Sequence, residues 1–199
     1  KGVSAVFAFE GWDAAGKGGA IRRLTAAMDP LSFAVYPYAA PNAVERMYHY
    51  LWRFWQNVPA PGEISIFDRT WYGRVMVERI EKLTPDVDWR RGYAEINEME
   101  KQWSEANMVL AKFWLQIDQE EQARRFKDRE ENPEKEWKIT EEDWRNRAKW
   151  SDYEAAVNEM IARTNTDYAP WIIVEANSKY YARLKVLETV IDLLEKKLK

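Results

Sequence analysis

The run Phe9-Glu10-Gly11-Trp12-Asp13-Ala14-Ala15-Gly16-Lys17-Gly18-Gly19 has the composition and spacing of a phosphate cradle. Backbone N–H groups of a Gly11-x4-Gly16-Lys17 turn can surround phosphate oxygens. The N-terminus of a following helix adds partial positive charge, and Lys17 adds a full one. Gly18 and Gly19 continue the turn, and Gly18 stands where a Ser or Thr hydroxyl would usually hold Mg²⁺. Asp13, inside the loop, offers a carboxylate for that task instead. The bland alternative is a tight strand–helix turn with Asp13 bonding its own backbone.

A second carboxylate closes the apolar run Ile64-Ser65-Ile66-Phe67-Asp68, with Arg69 next. A strand that ends in Asp can deliver a metal-holding acid to the edge where a phosphate loop lies. Mg²⁺ takes oxygen ligands and keeps several waters, so Asp13 and Asp68 suffice as a protein complement. Arg69 and Arg74 supply planar cations suited to clamping phosphate. Taken singly, Asp68 could be a helix cap and the arginines surface ion-pairing residues.

These residues need a scaffold. Short β-branched or aromatic runs predict strands at Val3–Phe9, Phe33–Tyr36, Ile64–Phe67, Val109–Ile117 and Trp171–Val174. Helix-like stretches lie between them, at about 18–28, 43–56, 73–83, 89–107 and 119–129. Longer ones follow at 141–163 and 180–199. Alternation of this kind predicts an α/β fold, three layers thick, with a parallel sheet covered on both faces. Ligands then sit at the carboxyl ends of the strands.

Residues 1–199 read as one domain with a lid at about 124–150. From Arg124 to Lys149 there are nine Lys or Arg and eight Asp or Glu, so net charge marks no cationic patch there. Arg125 and Arg129 share a helical face, and Lys138 follows a Pro-containing break. A hinged segment carrying these cations toward a phosphate loop would act as a lid. A solvated helix pair with i,i+4 ion pairs is the alternative.

The chain's net charge of −3 argues against broad nucleic-acid or membrane binding. With no cysteine there is no disulfide, thiolate nucleophile or thiolate metal site. No apolar run approaches spanning length and no signal peptide is visible, which leads to the expectation of a cytoplasmic protein. His49, the single histidine, reads as structural.

The paired motifs Gly11–Gly19 and Phe67-Asp68-Arg69-Thr70-Trp71-Tyr72-Gly73-Arg74 resemble the polyphosphate kinase 2 family. So do Lys112–Leu115, Arg125-Phe126-Lys127, Trp137-Lys138 and Ala169-Pro170-Trp171. The resemblance implies a P-loop-kinase-like α/β/α fold with a helical lid, and Mg²⁺-dependent transfer of a terminal phosphate between inorganic polyphosphate and a nucleotide. It is nearest to polyphosphate:AMP phosphotransferase domains, with AMP converted to ADP. It implies metal association for Asp13 and Asp68 and phosphate contact for Lys17. It also implies polyphosphate contacts for Arg69, Arg74, Arg125 and Arg129, with Lys138 as an addition. A homo-oligomer, or one part of a tandem two-domain chain, is a further implication. ADP or GDP as acceptor, an ATP-dependent nucleotide kinase and a silent phosphate-binding domain stand as alternatives.

Overall fold

The computed structural model describes residues 2–199. Its centre is the strand β1 (Ala5–Gly11), whose residues Ala5 to Glu10 are all buried. Such an unbroken buried run suits a strand covered on both faces. Beside it lie β2 (Phe33–Pro37), β3 (Ile64–Asp68), β4 (Val109–Gln116) and β5 (Trp171–Glu175). All pairings are parallel, in the order β2-β3-β1-β4-β5.

Helices cover both faces. The helix α1 (Lys17–Thr25) follows β1, and α2 (Trp52–Trp55) and α3 (Val77–Ile80) are single short turns. The long α4 (Asp86–Glu105) precedes β4, and α5 (Gln119–Glu130) follows it. Then come α6 (Glu141–Ala148), α7 (Trp150–Thr164) and the C-terminal α8 (Lys179–Leu198). One layer is formed by α1 with α8, and the other by α3, α4 and α7. This is the expected three-layer α/β/α arrangement.

The strand order decides where ligands can bind. The connection leaving β1 passes over β3 to reach β2, and the connection leaving β3 passes over β1 to reach β4. The two paths diverge, so a crevice opens at the carboxyl ends of β1 and β3. The glycine-rich loop and Asp68 lie at those two ends, with Phe9 and Asp68 side by side in register.

Three helix expectations differ from the structure. Residues 43–56 form a 3-10 turn at Glu45–Met47 and the short α2, separated by an extended Tyr48. There the Asn42 side chain accepts from the N–H groups of Val44 and Glu45, a local alternative to helix. The predicted 73–83 helix is a 3-10 turn at Trp71–Arg74 and then α3, because Met76 leaves helical geometry. The predicted 141–163 helix divides at Lys149 into α6 and α7.

Candidate active site

The loop between β1 and α1 is shaped by close contact with β4. A Cβ on Gly11 would stand 2.6 Å from the carbonyl oxygen of Leu115, and Gly11 has φ +152°. No other residue type fits there without displacement. Gly16 takes left-handed geometry (φ +106°) and turns the chain into α1, where its carbonyl accepts from Gly19 and Ala20. The N–H groups of Lys17 and Gly18, in the first turn, have no acceptor one turn back and are available to an anion. Lys17 folds over the loop, its ammonium donating to the carbonyl of Gly11 at 2.7 Å and more weakly to that of Trp12.

The turn after β3 is tied to this loop through Glu10. Its buried carboxylate accepts from the Thr70 N–H at 2.7 Å and the Thr70 hydroxyl at 2.8 Å. Burial pushes the Glu10 carboxyl up from its ordinary range, against the opposing pull of Lys17, the Thr70 bonds and Arg69. Arg69 donates its N–H to the Phe9 carbonyl and adopts φ +65°. Holding a non-glycine residue in this region costs about 1–2 kcal/mol. Glu10 and Thr70 stabilise the turn that contains it.

Above the two loops is a cavity of about 1140 Å³. Asp13, Lys17, Asp68, Arg69, Arg129 and Lys138 all line it. Ten Lys or Arg side chains face five Asp or Glu, so this cavity favours a polyanion although the whole chain is acidic. Among the described residues no three His, Cys, Asp or Glu side chains cluster as a metal site. Two carboxylates lining a cavity of this size nonetheless fit Mg²⁺, which binds through one or two carboxylates, water and substrate phosphates.

The model of the polyphosphate kinase 2 family matches residues 1–199. This chain belongs to the polyphosphate kinase 2 family. It is 56% identical over 98% of its length to a polyphosphate:AMP phosphotransferase of Pseudomonas syringae pv. tomato, spanning 39% of that protein. To an ADP-polyphosphate phosphotransferase of Rhizobium meliloti it is 39% identical over 96% of its length, spanning 67% of that protein. A solved structure of a polyphosphate kinase 2 from Pseudomonas aeruginosa superposes with a TM-score of 0.97 at 55% identity. That match covers 99% of this chain and 43% of the other. The chain thus spans about two fifths of the length of the polyphosphate:AMP phosphotransferase it matches.

Two arginines that the resemblance implied for polyphosphate are engaged by partners within this polyphosphate kinase 2 chain. Arg125 is buried, and its guanidinium donates to the carbonyls of Ala14, Ala15, Ala176 and Asn177 and to Glu121. These bonds draw the glycine loop, α5 and the loop after β5 together. Arg125 borders the cavity and supports its wall. With Gln122 and Phe126 also buried, α5 packs into the body of the fold. Arg74 does not line the cavity. It pairs with Glu78 at 3.1 Å, bonds Thr84 and stacks over the Tyr50 ring.

Arg129 and Lys138 do reach the cavity. The Arg129 guanidinium donates to the Lys138 carbonyl at 2.9 Å, and the Lys138 ammonium rests over Trp137. Five further cations were not singled out by the motifs. Arg22 and Arg23 of α1, Lys135 after α5, and Lys179 and Arg183 of α8 line the same cavity. The Arg183 guanidinium packs against Gly19, 3.2 Å from where a Cβ would stand. Burial pulls the Lys179 ammonium below its ordinary range, with nearby Arg125 adding to the shift. The i,i+4 spacing of Lys179 and Arg183 was the available signal, but only the fold places α8 beside α1.

Proposed function

We propose that this domain transfers a terminal phosphate between inorganic polyphosphate and a nucleotide, with AMP as the acceptor. The single observation that carries the reading is the cavity uniting a phosphate loop, the loop carboxylate Asp13, the strand-end carboxylate Asp68 and twice as many cations as acids. A nucleotide monophosphate alone would not call for nine cationic side chains besides the loop-bound Arg125, whereas a chain of anionic tetrahedra does. The higher identity to a polyphosphate:AMP phosphotransferase than to an ADP-polyphosphate phosphotransferase supports AMP.

In this reading the loop N–H groups and Lys17 hold the phosphate at the reacting end. Arg69 reaches the transferred group from the turn after β3. Arg129 and Lys138, on one side of the cavity, and Arg22, Arg23, Lys179 and Arg183, along α1 and α8, hold the rest of the polyphosphate. Asp13 and Asp68 would hold Mg²⁺, which when bound neutralises charge on donor and acceptor oxygens. The acceptor is an ionised phosphate, so no strong general base is needed. Catalysis is positioning plus electrostatic stabilisation of an in-line transfer. The segment 131–149 acts as the lid, excluding water that would compete with the nucleotide. These substrates suit a cytoplasmic site of action.

The test is direct. The protein is incubated with Mg²⁺, long-chain polyphosphate and either AMP or ADP, and the nucleotides are resolved. ADP formed from AMP supports the proposal, and ATP formed from ADP alone moves the acceptor assignment. Phosphate donation from ATP without polyphosphate would make it a nucleotide kinase. No transfer with any pair would leave a silent binding domain.

A further inference from the structure

Asp13 is gripped by two side chains from distant parts of the chain. Its carbonyl accepts from Gln122 Nε2 at 3.2 Å, and its carboxylate Oδ2 accepts from Asn146 Nδ2 at 3.0 Å. The first contact anchors the backbone and leaves the carboxylate free to rotate. The second sets that rotation. It comes from α6, inside the segment 131–149.

The Asn146 amide can face Asp13 in one sense only. A carboxylate offers acceptors alone, so the NH₂ must point toward it. The amide oxygen then lies 3.3 Å from the Tyr153 hydroxyl, which also stands 3.4 Å from Glu81 Oε1. The single hydroxyl proton is shared between these two acceptors. Glu81 is held in turn by Lys149 at 2.9 Å and Arg145 at 3.6 Å. A polar chain Asp13–Asn146–Tyr153–Glu81 therefore runs from the phosphate loop through α6 and α7 to the end of α3. Beside it Trp12 stacks face to face on Trp150, with ring centroids 3.7 Å apart. The junction of α6 and α7 is thereby pinned next to the loop.

We propose that Asn146 is a positioning residue for Asp13, and that its amide is the contact through which the folded-over 131–149 segment orients the loop carboxylate. The inference rests on the reading of Asp13 as a working carboxylate of the site. Closure of the segment and readiness of the carboxylate then become one event. An open segment leaves Asp13 free to rotate, and a closed one fixes it.

The test is hydrogen exchange of the 131–149 amides in the substrate-free protein, for wild type, Asn146→Ala, Asp13→Ala and the double variant. Amides of β1 serve as the internal control for global stability. Exchange of the segment is expected to rise about ten- to hundredfold in each single variant, the scale of one charge-assisted hydrogen bond. The double variant is expected to exchange no faster than either single one, with β1 unchanged. In turnover, Asn146→Ala should lower kcat and raise the Mg²⁺ concentration for half-maximal rate, with the KM for nucleotide held. Wild-type exchange in Asn146→Ala, or additive effects in the double variant, overturns the proposal. Asp68→Asn, which does not touch the segment, separates the two readings. If it is inactive while Asn146→Ala exchanges like wild type, the positioning role fails and the site stands. If it is active, the site assignment fails and the exchange data still decide the contact.

Discussion

The Arg125 guanidinium donates to the carbonyl oxygen of Ala14 across 2.8 Å, joining α5 to the crest of the phosphate loop. Ala14 itself has φ +61°, so a strained residue is held at the point where this contact is made. The arginine is a strut for the loop, and its guanidinium is engaged by four carbonyls and by the Glu121 carboxylate.

Arg125 and Arg129 should therefore separate on substitution. Arg125→Gln is expected to lower unfolding free energy by about 3 kcal/mol, since a buried charged partner of several acceptors is lost. Arg129→Gln is expected to leave stability within about 0.5 kcal/mol. It should weaken polyphosphate binding and flatten its dependence on ionic strength. Urea unfolding and a salt series of polyphosphate affinities measure the two effects.

Asp68→Asn should cost on the order of a hundredfold or more in turnover while the fold is kept. The amide is nearly isosteric but lacks the charge that complements Mg²⁺. Circular dichroism and initial rates across a Mg²⁺ series provide the check. Near-normal rates at limiting Mg²⁺ would remove Asp68 from the site.

Two glycines of the loop should respond in opposite ways. Gly11→Ala drives a Cβ into the Leu115 backbone at a φ that L residues avoid, and should cost about 2–4 kcal/mol. Gly18→Ala meets nothing within 4 Å and lies in α1, so stability should hold or rise by up to about 1 kcal/mol. The new methyl group would border the cavity, and phosphate affinity is the property expected to fall. Thermal unfolding and phosphate titration distinguish the pair.

Acid stability should carry the mark of Glu121. Hydrogen bonding from Arg124, with Arg125 adding to it, pulls the Glu121 carboxyl from its ordinary 4.5 down to about 2. Between those values the unfolded chain binds a proton that the folded one does not, so stability falls as pH falls. The contribution is complete above pH 4.5 and lost as pH drops through about 2. Urea midpoints of wild type and Glu121→Gln should differ most above pH 4.5 and converge toward pH 2.

The Lys112 ammonium is wholly buried, donating to Glu100 at 2.8 Å, the Tyr72 hydroxyl at 2.9 Å and the Thr164 carbonyl at 2.7 Å. Burial pulls its pKa down and pushes that of Glu100 up, and each charge offsets the shift of the other. Lys112→Met should cost about 3–5 kcal/mol by stranding the carboxylate. Adding Glu100→Gln should restore much of it. Equal losses in the single and double variants would show that packing, not charge pairing, decides the effect.

The strands and the phosphate loop were legible along the chain because their signals are local. Val109–Gln116 is an apolar run that can be satisfied only inside a covered sheet, and Gly11-x4-Gly16-Lys17 encodes its own turn. Residues 43–56 do not form the expected helix because Asn42 and Tyr48 set local backbone geometry against one. The roles of the cations were decided by tertiary structure alone. Arg125 and Arg129 are one turn apart and identical in type, yet one meets four carbonyls and the other opens on the cavity. Glu10 looked like one more residue of a strand, and Asn146 one polar residue in a charged segment. Their partners, Thr70 and Asp13, lie 60 and 133 positions away. Short-range patterns specify strands and turns because the forces behind them act between chain neighbours. A charged side chain acquires its function from whichever backbone or carboxylate the folded chain brings within about 3 Å, a distance that spacing along the sequence does not encode.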